Sequence, residues 1–228
     1  MYDSFRHAVS DLVDLGPGSL LIKLDLESAF RHIPIRPADW HLLGFTWLEQ
    51  YFFDIVLGFG CRSAPYIFNL FAEALHWILE RHIPAHFCHY LDDFLSIFRP
   101  NTPPELVAEA LEWMLGLGHQ LGLRFQPSKI EGPATYLDFL GIELDSIAIE
   151  ACLSDIKLQY LWDLVGSWSW RSHCRAREVE ELTGYLQFAS QVIPYSRAFI
   201  CSLYDFHSTF PSPFSLHKIP QTVHWDIE

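Results

Sequence analysis

Two kinds of hydrophobic pattern alternate along this chain. From Ser4 to Leu15 the apolar residues recur at helical spacing and stop at Gly16-Pro17-Gly18, which predicts a helix closed by a breaker. Leu20-Leu21-Ile22-Lys23-Leu24 is an apolar run of the buried-strand kind. It ends in Asp25, and the chain then turns through Ser28 and Ala29 into Phe30. Leu43 to Val56 predicts a hairpin turning near Glu49-Gln50. Pro65 is well placed to open a helix running to Arg81, with Ile67, Leu70, Phe71, Ala74, Leu75 and Ile78 on one face. His86-Phe87-Cys88-His89 and Phe94-Leu95-Ser96-Ile97-Phe98 are strand-like runs free of Pro and Gly. Tyr90-Leu91-Asp92-Asp93 lies between them and predicts a tight hairpin with acidic groups at its tip.

Beyond the hairpin, Arg99 to Pro104 is a surface loop, and Thr102 with Glu105 predicts a capping box for a helix from Pro104 to Leu121. Tyr136 to Cys152 is strand-like with a turn at Asp145-Ser146. Amphipathic helices follow at Ser154–Gly166 and Ala176–Val192, and Pro211, Pro213 and Pro220 predict an irregular tail over 206–228.

A carboxylate at the end of a buried strand is costly unless it is paired or binds a metal. Set beside the hairpin tip, Asp25 would join Asp92 and Asp93 in an all-oxygen anionic site of the kind that suits Mg²⁺ shared with substrate phosphates. Two such ions about 3.5–4 Å apart activate an attacking hydroxyl and stabilise a leaving pyrophosphate. That chemistry needs acidic groups from separate strands, which these two segments supply.

In their wording and order these segments resemble the palm of a reverse transcriptase, most closely that of DIRS-type (tyrosine-recombinase) retrotransposons. Leu24-Asp25-Leu26-Glu27-Ser28-Ala29-Phe30-Arg31-His32-Ile33-Pro34-Ile35 is similar to the first palm motif. Gly58-Phe59-Gly60-Cys61-Arg62-Ser63-Ala64-Pro65-Tyr66-Ile67-Phe68 is similar to the second, and Tyr90-Leu91-Asp92-Asp93 to the third. Lys129-Ile130-Glu131-Gly132-Pro133 and Phe139-Leu140-Gly141-Ile142 resemble the fourth and fifth. Gly58 and Cys61 stand where many relatives carry Pro and Leu.

The resemblance implies an α+β palm over residues 1–152, with an antiparallel sheet backed by helices, a thumb-like helical unit over 153–205 and the tail beyond. It implies RNA-directed DNA polymerisation with an RNA template, a DNA primer and deoxynucleoside triphosphates, using Mg²⁺ or, in its place, Mn²⁺. Asp25, Asp92 and Asp93 would bind the ions, with the Leu26 carbonyl as a further ligand. Phe30 would lie under the nucleotide sugar and exclude a 2′-hydroxyl. Phe59 and Gly60 would touch base and template, Arg62 a phosphate, and Lys129 would act as the general acid for the departing pyrophosphate. From pattern alone Phe30 reads rather as core, and only its spacing from Asp25 reverses this; Lys129 reads equally as a solvated loop lysine and Arg62 as the partner of a nearby carboxylate.

Composition limits these expectations. The 228 residues, half of them hydrophobic, can bury one substantial core and a small satellite. No apolar run reaches membrane-spanning length and the N-terminus lacks the order of a signal peptide, so no membrane partner is expected. Five scattered cysteines without CxxC spacing predict a reducing, intracellular setting, which for such elements is cytoplasmic or nuclear. His82, His86 and His89 are interrupted by Pro84 and read as packed or surface residues. The formal charge of −13 runs against the basic surface usual for gripping phosphates, and little chain precedes Asp25 to form fingers. A palm-and-thumb piece of a longer polyprotein is therefore expected, with the other parts of that polyprotein as further partners. Two alternatives stand beside it: a catalytically inactive remnant or scaffold keeping the palm fold, and a palm-type nucleotidyl cyclase.

Overall fold

The computed structural model describes residues 5–193 and 195–227. Ser4, at the expected start of the first helix, lies outside them. Helix α1 spans Phe5–Leu15 and buries Phe5, Ala8 and Leu12, which recur at helical spacing. Strand β1, Leu20–Asp25, is followed by two 3₁₀ turns, Ala29–His32 and Pro37–Leu43, and by a hairpin of β2, Gly44–Trp47, and β3, Gln50–Phe53. Trp47 pairs with Gln50, so the loop residues are Leu48 and Glu49, one position earlier than the sequence suggested. Both take positive φ, 48° and 60°, the geometry that lets a two-residue loop follow the strand twist.

Helix α2, Ala64–His82, has Pro65 in its first turn as expected, but its buried face is another one. Ala64, Phe68, Ala72, Leu75 and Leu79 face the core, whereas Leu70 and Phe71 are exposed. The helix is apolar on more than one side, and only its packing on the sheet selects the face that is buried. Strands β4, His86–Tyr90, and β5, Asp93–Phe98, form the expected hairpin. Helix α3, Pro104–Leu121, begins without the capping box, because the Thr102 hydroxyl donates to the Arg99 carbonyl instead. Gly122, at φ 73°, closes it with the left-handed backbone usual at a helix C-terminus.

Strand β6, Glu131–Ala134, completes an antiparallel sheet of order β4-β5-β1-β6. Helices α2 and α3 join this sheet in one core through Phe68, Leu75, Leu79, Val107 and Met114 against Ile22, Leu24, Phe87, Phe94 and Phe98. Leu21 and Ile22 are both fully buried, so β1 is covered on both faces, which accounts for its unbroken apolar run. Further along, β7 (Tyr136–Phe139), β8 (Ile142–Asp145) and β9 (Glu150–Cys152) form a three-stranded sheet. The Asp145 carboxylate caps its second turn by accepting the N–H groups of Ile147 and Ala148.

The chain divides into two compact units, one running up to Leu140 with Leu144–Glu150, the other comprising Gly141–Glu143 and the residues from Ala151 on. The second unit holds α4 (Asp155–Trp168), β10 (His173–Arg175), α5 (Ala176–Ala189), α6 (Cys201–Ser208), β11 (Leu216–Lys218) and α7 (Gln221–Ile227). Its core gathers Trp168, Val179, Leu182, Leu203, Phe206, Ile219 and Val223. The tail expected to be irregular is therefore ordered: β11 pairs with β10, and α7 buries Val223. Its prolines lie before these short elements rather than inside them, so they do not prevent either.

Gly132 marks the closest approach in the central sheet. Its φ is +99°, and a Cβ there would run into the Leu21 carbonyl of β1. Gly132→Ala is expected to lower unfolding free energy by about 1–3 kcal/mol in urea titrations. An unchanged denaturation midpoint would show that the two strands have room to part.

Candidate active site

Asp25 is the last residue of β1 and is only 6% exposed. Strand pairing sets it directly opposite Asp93, the first residue of β5. Tyr90 pairs with Asp93 to close the hairpin, leaving Leu91 and Asp92 as the loop. Leu91, rather than an Asp, takes the positive φ of that turn, 56°, an uncommon conformation for a bulky side chain. The Asp92 carbonyl accepts the Leu26 N–H at 3.0 Å, joining the hairpin tip to the residue after Asp25. On the other side, the Gln126 N–H donates to the Asp25 carbonyl at 2.8 Å and the Glu27 N–H to the Arg124 carbonyl at 2.7 Å. The strand end is thus held on both flanks.

The three carboxylates share one electrostatic environment. Burial raises the pKa of Asp92, and the Asp25 charge raises it further. Asp93 is pushed up to about 6, first by burial and then by the charges of Asp92 and Asp25. Two lysines oppose them. The Lys129 ammonium donates to Asp25 Oδ2 at 2.7 Å, and this hydrogen bond raises the lysine pKa. Lys23, two residues before Asp25 on β1, pairs with Glu131 at 2.8 Å and favours the ionised form of Asp93.

The remaining expected residues fall into two groups. Leu26 is buried, and its carbonyl accepts the Ala29 N–H at 3.5 Å. Phe30 is also buried, edge-on to Phe59 at 5.2 Å and to Phe68 at 5.4 Å between ring centres. Most of its ring is therefore core, while Phe59 on its outer side is 74% exposed. Gly60, at φ 88°, turns the chain after Phe59, and Arg62 lies exposed just before α2. The histidines are placed apart: His82 on the Ile78 carbonyl, His86 on Asp11 and His89 on His76. Sequence reading missed Lys23, Phe68 and Gln126. Lys23 had a signal, since residues two apart on a strand share a face; the Gln126 contact is made by backbone and had none.

Among the described residues, no three His, Cys, Asp or Glu side chains form a ready cage for a metal ion. The arrangement is a concentrated anionic field at a sheet end, balanced in part by two lysine ammonium groups. In the unfolded chain Asp93 would release its proton near the ordinary 3.8. Between there and about 6 the native state holds a proton that the unfolded chain has lost, so this residue favours folding at low pH. That contribution is lost as the pH rises through about 6. Asp93→Asn is accordingly expected to stabilise the protein at pH 7.5, by about 1 kcal/mol or less because the site is partly solvated, and to give no gain at pH 4. Thermal melts across that range test it, and an equal effect at both ends would contradict it.

Known proteins resemble this chain in family pattern, in sequence and in fold. The sequence model of the family described as reverse transcriptase (RNA-dependent DNA polymerase) matches residues 4–144. Protein P of duck hepatitis B virus (strain Germany/DHBV-3) is 28% identical over 185 residues, covering 77% of this chain and 22% of the viral protein. The transposon Tf2-3 polyprotein of Schizosaccharomyces pombe is 24% identical over 183 residues, covering 80% of this chain and 13% of the polyprotein. The chain thus spans about a fifth or less of the length of these relatives. Among solved structures, the foamy viral protease-reverse transcriptase in complex with RNA/DNA hybrid superposes over the whole chain and 29% of its own, with a TM-score of 0.74 at 17% identity. The same enzyme with dsDNA gives 0.67 at 18% identity, with 44% of that chain covered. At such identities the likeness is one of fold.

Proposed function

We infer that this chain, which belongs to the reverse transcriptase (RNA-dependent DNA polymerase) family, extends a DNA primer on an RNA template as one part of a longer retroelement polyprotein. The observation that carries the proposal is the pairing of Asp25 with Asp93 and of Leu26 with the Asp92 carbonyl, which gathers two distant segments at one sheet end. The motif wording favours a DIRS-type element within that family. In this reading the first unit is the palm and the helices from α4 on form the thumb. The nucleic-acid complexes of the foamy viral enzyme support an RNA/DNA partner. Other parts of the polyprotein would supply the basic grip that a chain of charge −13 lacks.

The residues fit Mg²⁺ or Mn²⁺ in charge and donor chemistry: Asp25, Asp92 and Asp93 would hold the ions with the Leu26 carbonyl, completed by substrate oxygens in place of a dedicated protein cage. Such ions lower the pKa of the primer 3′-hydroxyl and neutralise charge on the leaving pyrophosphate. The protein's own part is to hold these groups still. The β1·β5 register fixes the carboxylates, and Gln126 and Asp92 pin the backbone between them. Lys129 carries a proton on an ammonium that rests on Asp25, and would deliver it to the leaving group. Phe30, packed against Phe68 and Phe59, would lie under the nucleotide sugar, where a 2′-hydroxyl would clash, and Phe59, Gly60 and Arg62 would line the base and phosphate side.

Primer extension on an RNA template with deoxynucleotides and Mg²⁺ or Mn²⁺ tests the proposal. Asp25→Asn and Asp92→Asn are each expected to reduce extension roughly a hundredfold or more while circular dichroism stays native. Template-dependent extension undiminished in both variants would refute the assignment. Phe30→Val is expected to relax discrimination against ribonucleotides by roughly tenfold or more; unchanged selectivity would leave Phe30 as a core residue alone.

A further inference from the structure

Lys129 is 57% exposed along its side chain, yet its ammonium rests at 2.7 Å on a carboxylate that is only 9% exposed. The 3₁₀ turn Pro127–Lys129 that carries it is tied to its target: the Lys129 N–H donates to the Gln126 carbonyl, and the Gln126 N–H donates to the Asp25 carbonyl. The backbone of the turn is thereby fixed beside β1, while the four-carbon side chain keeps rotatable bonds and an open path to solvent. The charges of Asp92 and Asp93 also reach the Lys129 ammonium, and Lys23 acts on Asp93. Lys23 is paired with Glu131, and among the described residues Lys129 is the cation in contact with Asp25.

Building on the polymerase reading above, we infer that Lys129 is a displaceable counter-cation: it neutralises Asp25 in the substrate-free enzyme and must leave Asp25 Oδ2 before a divalent ion can take that oxygen. The consequence is a coupled exchange. The Lys129 ammonium, once displaced from Asp25, would be free to turn toward substrate phosphates, so one residue would both set the threshold for ion entry and serve the phosphates afterwards. The cost to ion affinity is the strength of one half-buried ion pair. Removing the ammonium should therefore tighten ion binding about three- to tenfold.

The test is direct titration of the full chain with Mn²⁺, followed by electron paramagnetic resonance of the free ion, in the absence of nucleotide and nucleic acid. Lys129→Gln is expected to bind Mn²⁺ about three- to tenfold more tightly than wild type, and Lys129→Arg no more tightly than wild type. Lys23→Gln removes a nearby charge without touching Asp25 and is expected to give a clearly smaller gain. Thermal melts supply the second readout: Lys129→Gln should melt below wild type without Mn²⁺ and show the larger rise when it is added. Equal Mn²⁺ affinity in wild type and Lys129→Gln, or equal gains in Lys129→Gln and Lys23→Gln, would overturn the counter-cation. Mn²⁺ binding unaffected by Asp25→Asn would instead remove the ion site itself and, with it, the polymerase reading.

Discussion

Like charges placed directly opposite one another on antiparallel strands repel, and Asp25 and Asp93 are so placed at the end of the central sheet. Several features of the first unit bear on how that repulsion is tolerated. The strand that ends in Asp25 is buried on both faces, so it cannot slip by one residue without turning Leu21, Ile22 and Leu24 away from their partners. Backbone hydrogen bonds from Leu26 and Gln126 hold the strand end on both flanks. Two lysines supply compensating charge, one paired with Glu131 and one, more exposed, with Asp25. What remains is a carboxyl on Asp93 that ionises reluctantly, at about pH 6. Electrostatic strain of that kind at a sheet end is what the proposed ion site would relieve on binding its ion.

The acidic net charge follows from the same geometry only in small part. Most of the surplus lies outside the three clustered aspartates, on surfaces such as the α3 face carrying Glu105, Glu109 and Glu112. Nucleic acid would have to be held by a limited set of residues near the hairpin and by polypeptide beyond this chain. The relatives are several times longer, which leaves room in the proposed reading for a grip supplied elsewhere.

Local pattern made much of this fold legible, and its limits have physical causes. The β1 run, the acidic hairpin and the helices opened by Pro65 and Pro104 are encoded in a few adjacent residues, and each forms where the pattern placed it. The face of α2 was misjudged because Leu70 and Phe71 continue an apolar stripe that the sheet does not cover. Thr102 had two acceptable hydrogen-bond partners, and its own turn took it. The tail looked irregular because three-residue β11 and seven-residue α7 are too short to show a period. Asp25 and the hairpin could be linked by motif order, but their register, and the landing of Lys129 on Asp25, depend on contacts made across some 70 to 100 residues of chain. Such contacts are properties of the packed state, and no local window contains them.

The central claim is that two segments remote in sequence form one cation site. Affinity cleavage measures this most directly: Fe²⁺ is loaded in place of Mg²⁺, and the hydroxyl radicals it generates with ascorbate and peroxide cut the backbone nearest the ion. The account predicts two sets of cuts, one around Asp25-Leu26 and one around Asp92-Asp93, both suppressed by excess Mg²⁺ and both lost in Asp25→Asn. Cuts confined to one segment, or at neither while Fe²⁺ is bound elsewhere, would contradict it.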